Sequence, residues 1–222
     1  PTPTETPTTT ATAESVGPPA HSIKVLQQNV RSLTPDKKER IRLLGADILL
    51  LQETWAAAQI PGYDSHTSTR DNGRGGGVAV MIRNTMKAVV TRLPYTGKIE
   101  AVRLSIHIGP HHFIATSVYA PPALNPSRED FDLLFPPQDA NIPHLLGGDL
   151  NLHIPLFQPP GRTNAENDWN VLEDWMDANL LKCENKEATA TRHSPIASTP
   201  ASTVDYTITS SDLIAPGTWR TS

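Results

Sequence analysis

Short apolar runs that stop at a polar residue recur along this chain, and they constrain its fold more than any other feature. The clearest is Ile48-Leu49-Leu50-Leu51, which ends at Gln52-Glu53. Four residues are too few for a helix and this run is too apolar for a sheet edge, so it reads as a central strand buried on both faces. Such a strand needs a layer on each side. Residues 23–28 read as a strand ending at Asn29, and residues 78–82 as a strand entered from a glycine-rich loop at 73–77. His144-Leu145-Leu146 runs out into Gly147-Gly148-Asp149-Leu150-Asn151, and residues 204–208 form a further strand carrying Asp205.

Two segments carry helical signals. Pro35-Asp36 opens one, with Thr34 as N-cap and Ile41, Leu43 and Leu44 as its apolar side. Across 166–180, Trp169, Leu172, Trp175, Met176 and Leu180 follow a 3.6-residue period, which makes the tryptophans core residues and not a base-stacking platform. Val102, Leu104, Ile106 and Ile108 alternate with Arg103, Ser105 and His107, the pattern of a half-exposed strand paired with 113–119 across Gly109-Pro110. Strands dominate, helices are interspersed and several connections are hairpins. The expectation is mixed α/β layers and not a purely parallel wound sheet.

The 222 residues, 37% of them hydrophobic, suffice for one large domain. The first twenty are rich in Pro and Thr and contain no Leu, Ile, Phe or Trp, so residues 1–21 read as a tail or linker and 22–222 as the domain. No apolar stretch reaches membrane-spanning length and no signal-peptide layout opens the chain, so no membrane association is expected. Cys183 is the sole cysteine. That excludes an internal disulfide framework, fits a reducing intracellular compartment, and suggests a small buried residue following the second helix. A net charge of -4 argues against a purely electrostatic nucleic-acid binder. It does not exclude a nuclease, because a divalent metal among carboxylates makes the local charge less negative than the count. Arg70, Arg74, Arg83, Arg162 and Arg192 can face phosphates or simply be solvated.

The strand ends supply the chemistry: Asn29, Glu53, Tyr119, Asp149 with Asn151, and Asp205. A site assembled across several strand ends looks like this. A single carboxylate such as Glu53, with waters and a phosphate completing the shell, is how Mg²⁺ is usually held. Asp149 can orient or deprotonate a water, and strand alternation places Asn151 on its side. The Asn29 and Asn151 amides can fix neighbouring groups without adding charge, and Tyr119 can donate to a phosphate oxygen. The glycines at 147 and 148 allow close backbone approach.

In order and local context these residues resemble the endonuclease/exonuclease/phosphatase, or DNase I-like, superfamily. The matching pieces are Gln28-Asn29-Val30-Arg31-Ser32, Leu51-Gln52-Glu53-Thr54, Val118-Tyr119-Ala120-Pro121-Pro122, Gly148-Asp149-Leu150-Asn151 and Ser202-Thr203-Val204-Asp205-Tyr206. Gly73-Arg74-Gly75-Gly76-Gly77-Val78-Ala79-Val80 and Thr191-Arg192-His193-Ser194 look more narrowly like the apurinic-type endonuclease domain of non-LTR retrotransposons. The resemblance implies a four-layer α/β sandwich of two packed mixed sheets flanked by helices. It implies Glu53 as ligand to Mg²⁺ (or Mn²⁺) with Asn29 supporting it, Asp149 positioning the attacking water, Asn151 and Tyr119 on the scissile phosphate, and Asp205 orienting a histidine. Thr191, with Arg74 and Arg192, lies near double-stranded DNA in this reading. The domain would nick target DNA in the nucleus to prime reverse transcription, as part of a polyprotein with a reverse transcriptase. The alternatives are an apurinic/apyrimidinic repair endonuclease and a degenerate remnant that only binds.

The resemblance breaks at one place. The family's Ser-Asp-His motif is missing; Ser211-Asp212-Leu213 carries Leu213 in place of the histidine and reads as a surface turn. The motif and a last strand are expected beyond Ser222, so this segment is expected to be impaired, by about 10²–10⁴ in rate for a lost acid-base group. His144, His153 and His193 are read as surface residues. Arg31 stands where some repair-type relatives carry an Asp, which removes a possible metal ligand and favours the retrotransposon branch; Pro122 stands where they carry an Asn, which removes a phosphate contact.

Overall fold

Ile48 to Leu51 are at most 1% exposed and lie in the interior of a sheet, as so apolar a run requires. The computed structural model describes residues 22–70, 75–159, 169–185, 189–192 and 201–210. The tail, Arg74, Arg162, His193 and the Ser211-Asp212-Leu213 look-alike lie outside the described residues.

The first sheet has the order β1 (Val25–Asn29), β2 (Ile48–Gln52), β4 (Val78–Arg83), β3 (Tyr63–Ser68), with β1 parallel to β2 and the other pairs antiparallel. The second runs β5 (Val89–Leu93), β6 (Glu100–Ile108), β7 (His111–Tyr119), β8 (His144–Asp149), β10 (Asp205–Ser210), β9 (Leu181–Cys183), and only β7 with β8 is parallel. Three separate apolar clusters define the layers. Leu50, Val80, Leu104, Phe113 and Leu145 pack between the sheets. Leu49, Leu51 and Met81, on the other face of the first sheet, meet Ile41 of α1 (Pro35–Leu44). Leu146, Tyr206 and Ile208 on the outer face of the second meet Phe131 of α2 (Arg128–Asp132) and Trp175 of α3 (Asn170–Ala178). Helix, sheet, sheet, helix is the four-layer sandwich expected above.

Several local expectations are corrected. In α1 only Ile41 is buried; Leu43 is 69% exposed, because a residue two positions on points about 200° away around a helix, and Leu44, the last residue of the helix, is 46% exposed. Thr34 sits at the N-cap position but its side chain makes no capping bond. Leu180 lies beyond the end of α3 and faces solvent, whereas Leu172, Trp175 and Met176 form the buried side as their period requires. Cys183 follows α3, as expected, in strand β9; it is half-buried, and burial pushes its thiol up to about 12, which suits a packing role. β6 is not half-exposed along its length: Arg103 is 2% exposed and pairs with Asp139 at 2.5 Å under the outer layer.

His144 is likewise not a surface residue. It is 4% exposed, its ring packs edge-on against Phe135, and Nε2 lies 3.2 Å from the Asp139 carbonyl. Burial lowers its pKa from the usual 6.5 to about 4. The folded chain therefore keeps His144 neutral where the unfolded chain takes up a proton, so stability is full above about pH 6.5 and falls as pH drops toward 4. The loss amounts to roughly 3 kcal/mol at the lower limit. Urea unfolding at pH 7 and pH 4.5 should show that loss in the native chain and a smaller one in His144→Asn; equal losses would remove His144 as the cause.

Candidate active site

The parallel pairs β1–β2 and β7–β8 end on the same side of the sandwich, and β10 starts there. The register places Asn29 opposite Gln52, Tyr119 opposite Asp149, and Asp149 opposite Asp205. Side-chain bonds close the gap between sheets: Asn29 Nδ2 donates to Glu53 Oε1 at 2.8 Å and to Asp149 Oδ2 at 2.7 Å. One carboxamide thus spends both hydrogens holding two carboxylates from different sheets. Beneath it, Gln52 Nε2 donates to Ser117 Oγ, Ser117 Oγ donates to the Leu51 carbonyl, and Thr207 Oγ1 lies 2.9 Å from the Gln27 amide. These buried inter-sheet bridges were not legible in the sequence, where each member is an unremarked polar residue in an apolar strand.

Backbone strain marks the same place. Of the seven non-glycine residues with positive φ among the described residues, five lie in the loops leaving β1, β2 and β8: Arg31, Ser32, Glu53, Trp55 and Asn151. Such conformations cost about 1–3 kcal/mol each and cluster at functional sites. Asn151, at φ 49, is not placed beside Asp149 by strand alternation as expected. β8 stops at Asp149 and a tight turn brings the Asn151 N–H to Asp149 Oδ1 at 3.0 Å. Its side-chain amide donates to the Ala120 carbonyl at 2.8 Å and so ties this turn to the end of β7. The glycines act as expected: a Cβ at Gly147 would lie 2.8 Å from Leu50 of the facing sheet, and one at Gly148 would overlap the Val118 carbonyl.

The electrostatics follow from burial. Asp149, 6% exposed, has its carboxyl pushed up to about 7, by burial first and then by the charge of Asp205. That range suits a group which must accept a proton near neutrality. Burial also raises Asp205, opposed by a side-chain hydrogen bond with Thr191 and the charges of Arg31 and Arg192. Thr191 Oγ1 accepts from the Val204 and Asp205 N–H groups, so it shapes the start of β10. Asp205 Oδ1 is buried without a hydrogen-bond partner among the described residues. An unpaired buried acceptor is costly, and it fits a carboxylate that waits for a donor. Tyr119 is pushed up to about 12 by burial and then by Glu53 and Asp149, so it stays a protonated donor.

Glu53 is half-buried and its charge is felt by Tyr119, Asp149 and Asp205. Among the described residues no group of three or more His, Cys, Asp or Glu side chains is arranged to chelate a metal. Of the basic candidates, Arg83 pairs with Asp47 and reaches the Ala46 carbonyl beyond the far end of β4. Arg192 pairs its backbone with Ser202 and directs its charge toward Asp205. Arg70 pairs with Glu100 and lies 6.0 Å from the Tyr119 ring. Arg31 enters the site by its charge on Asp205; the sequence pattern showed it only as the absence of an acidic residue.

A family model described as the endonuclease/exonuclease/phosphatase family matches residues 21–222. The chain belongs to this family. The members of the endonuclease/exonuclease/phosphatase family are hydrolases acting on phosphodiester bonds. No curated protein gives a match. Among solved structures, the endonuclease domain of TRAS1, a telomere-specific non-LTR retrotransposon, is similar with a TM-score of 0.70 at 19% identity, covering 86% of each chain. The catalytic domain of Xenopus laevis APE2 is similar at 0.60 and 15% identity, over 86% of this chain and 83% of that one. An AP endonuclease from Archaeoglobus fulgidus reaches 0.58 at 15% identity, over 85% and 87%. At these identities the likeness is one of fold, and the fold is the DNase I-like sandwich of the family. No helix among the described residues is long and apolar enough to cross a membrane.

Proposed function

We propose that this chain is a metal-dependent DNA endonuclease domain that nicks target DNA, in the nucleus, for priming of reverse transcription by a non-LTR retrotransposon. The observation that carries the nuclease reading is the Asn29 bridge, which holds Glu53 and Asp149 side by side across the two sheets. Glu53 would hold Mg²⁺ or Mn²⁺, which when bound neutralises charge developing on the phosphate. Asp149 orients the attacking water and accepts its proton; Tyr119 and Asn151 are assigned to donate to phosphate oxygens. Asp205, whose Oδ1 has no hydrogen-bond partner among the described residues, is suited to orient a histidine N–H. Thr191, Arg192 and Arg74 are assigned to the DNA-facing side. The retrotransposon branch is supported by Arg31 at a position where some repair-type relatives carry an Asp, and by the likeness to the TRAS1 domain.

The test is incubation of the chain with supercoiled plasmid and Mg²⁺, and with intact and abasic duplexes, at enzyme concentrations and times that detect a rate lowered by about 10²–10⁴ for a missing acid-base group. The proposal expects nicks in intact DNA that EDTA abolishes. Cleavage confined to abasic DNA would assign a repair endonuclease, and DNA binding with no cleavage at any metal concentration would assign a binding remnant.

A further inference from the structure

Four residues of the chain are tryptophans, and Trp175 and Trp169 are accounted for by the outer core. Trp55 is not. It is 51% exposed, two residues after Glu53, and its backbone is left-handed at φ 63. A solvated aromatic alone needs no explanation, since single exposed apolar residues are ordinary. A bulky residue in a left-handed conformation does, because the surrounding structure must impose it.

The structure imposes it from two sides. Trp55 N–H donates to the Gly76 carbonyl at 2.9 Å and Thr54 N–H to the Gly77 carbonyl at 3.1 Å, while Ser32 N–H donates to the Glu53 carbonyl at 2.7 Å. The glycine segment is itself held, because Glu100 Oε2 accepts from Gly77 N–H at 2.5 Å and pairs with Arg70. No side chain fits there: a Cβ at Gly76 would come within 2.8 Å of Glu100 and Arg70, and one at Gly77 within 2.8 Å of Thr54 Oγ1. The loop leaving β2 thus presents a flat ring to solvent on a fixed backbone, with the exposed Arg70 guanidinium on the β3–β4 loop that braces it and the Glu53 carboxylate two residues away in sequence.

We infer that Trp55 is a base-stacking residue that positions DNA on the candidate active site, its ring against a nucleobase next to the scissile phosphate. The inference rests on the nuclease reading for what is being positioned. Stacking on a rigidly held aromatic gains without much ordering cost and is indifferent to base identity. Arg70 adds attraction for the adjoining phosphates. A base already out of the stack presents its face without an unstacking cost.

Binding of a duplex oligonucleotide in EDTA, read by fluorescence anisotropy, separates affinity from cleavage. Trp55→Ala should weaken binding about tenfold to a hundredfold, Trp55→Phe should recover most of it, and Trp55→Leu should not. The native chain should bind a duplex with one unpaired base more tightly than a fully paired one, and Trp55→Ala should bind both alike. In plasmid nicking, Trp55→Ala should raise KM with little change in kcat, and thermal melting should stay within a few degrees. Native-like binding by Trp55→Ala, or equal rescue by Leu and Phe, would overturn the stacking role while EDTA-sensitive nicking left the nuclease reading intact. Absence of nicking with stacking-dependent binding would overturn the nuclease reading alone, and absence of DNA binding would overturn both.

Discussion

Replacing Asp149 by asparagine should lower plasmid nicking by about 10²–10⁴-fold with the fold intact. The carboxylate receives Asn29 Nδ2 on Oδ2 and the Asn151 N–H on Oδ1, which fixes its orientation on both oxygens. Asparagine keeps the size of the side chain and one acceptor but cannot take up a proton. The native carboxyl is held up to about 7, by burial and then by Asp205, so removal of its charge relieves repulsion, while the new NH₂ faces a donor at one of the two contacts; the two effects oppose and melting temperature should shift by only a few degrees. Single-turnover nicking with saturating Mg²⁺ measures the chemical step. An Asp149→Asn variant that nicks within tenfold of the native chain would remove Asp149 from the reaction.

The second large effect is expected at Asn29. Its two donated bonds, 2.8 Å to Glu53 and 2.7 Å to Asp149, are the direct side-chain link between the carboxylates of the two sheets. Asn29→Ala leaves those carboxylates facing each other without a donor, and displacement of even about 1 Å is enough to cost on the order of 10² in rate. Asn29→Asp is the sharper test, because it sets a third carboxylate where a donor stood and acceptor faces acceptor at both contacts. It should lower kcat further than alanine and also lower the melting temperature. DNA binding in EDTA should change little in Asn29→Ala, since Trp55 and the basic groups lie outside the bridge. An active, thermally native Asn29→Asp would show that the bridge does not organise the site.

Much of the layer architecture is readable from residues. The all-apolar Ile48–Leu51 run demanded cover on both sides, the alternation at 102–108 located a hairpin, and the period of Leu172, Trp175 and Met176 located the outer helix. Strands β3 and β5 carried little signal, because Tyr63–Ser68 is largely polar and Val89–Leu93 is an exposed edge with only weak alternation. Arg103 and His144 were misplaced for one reason. Polar residues in alternating strands are solvated unless another layer covers them, and no local pattern announces the α2–Asp139 segment that lies over both.

Asn29, Glu53, Asp149 and Asp205 could be picked out one by one because each ends or begins an apolar run, where the backbone emerges from the core. Their order along the chain resembled a known family, and that is a property of sequence. Their assembly was decided by tertiary structure. Residues 120 positions apart share one hydrogen-bonding amide only because two parallel strand pairs from different sheets end on the same side of the sandwich. The same holds for Trp55, which in sequence is one apolar residue after Glu53-Thr54. Only the packed glycine segment holds its backbone left-handed with the ring exposed, two residues after Glu53, since main-chain bonds between distant loops leave no trace in either segment alone.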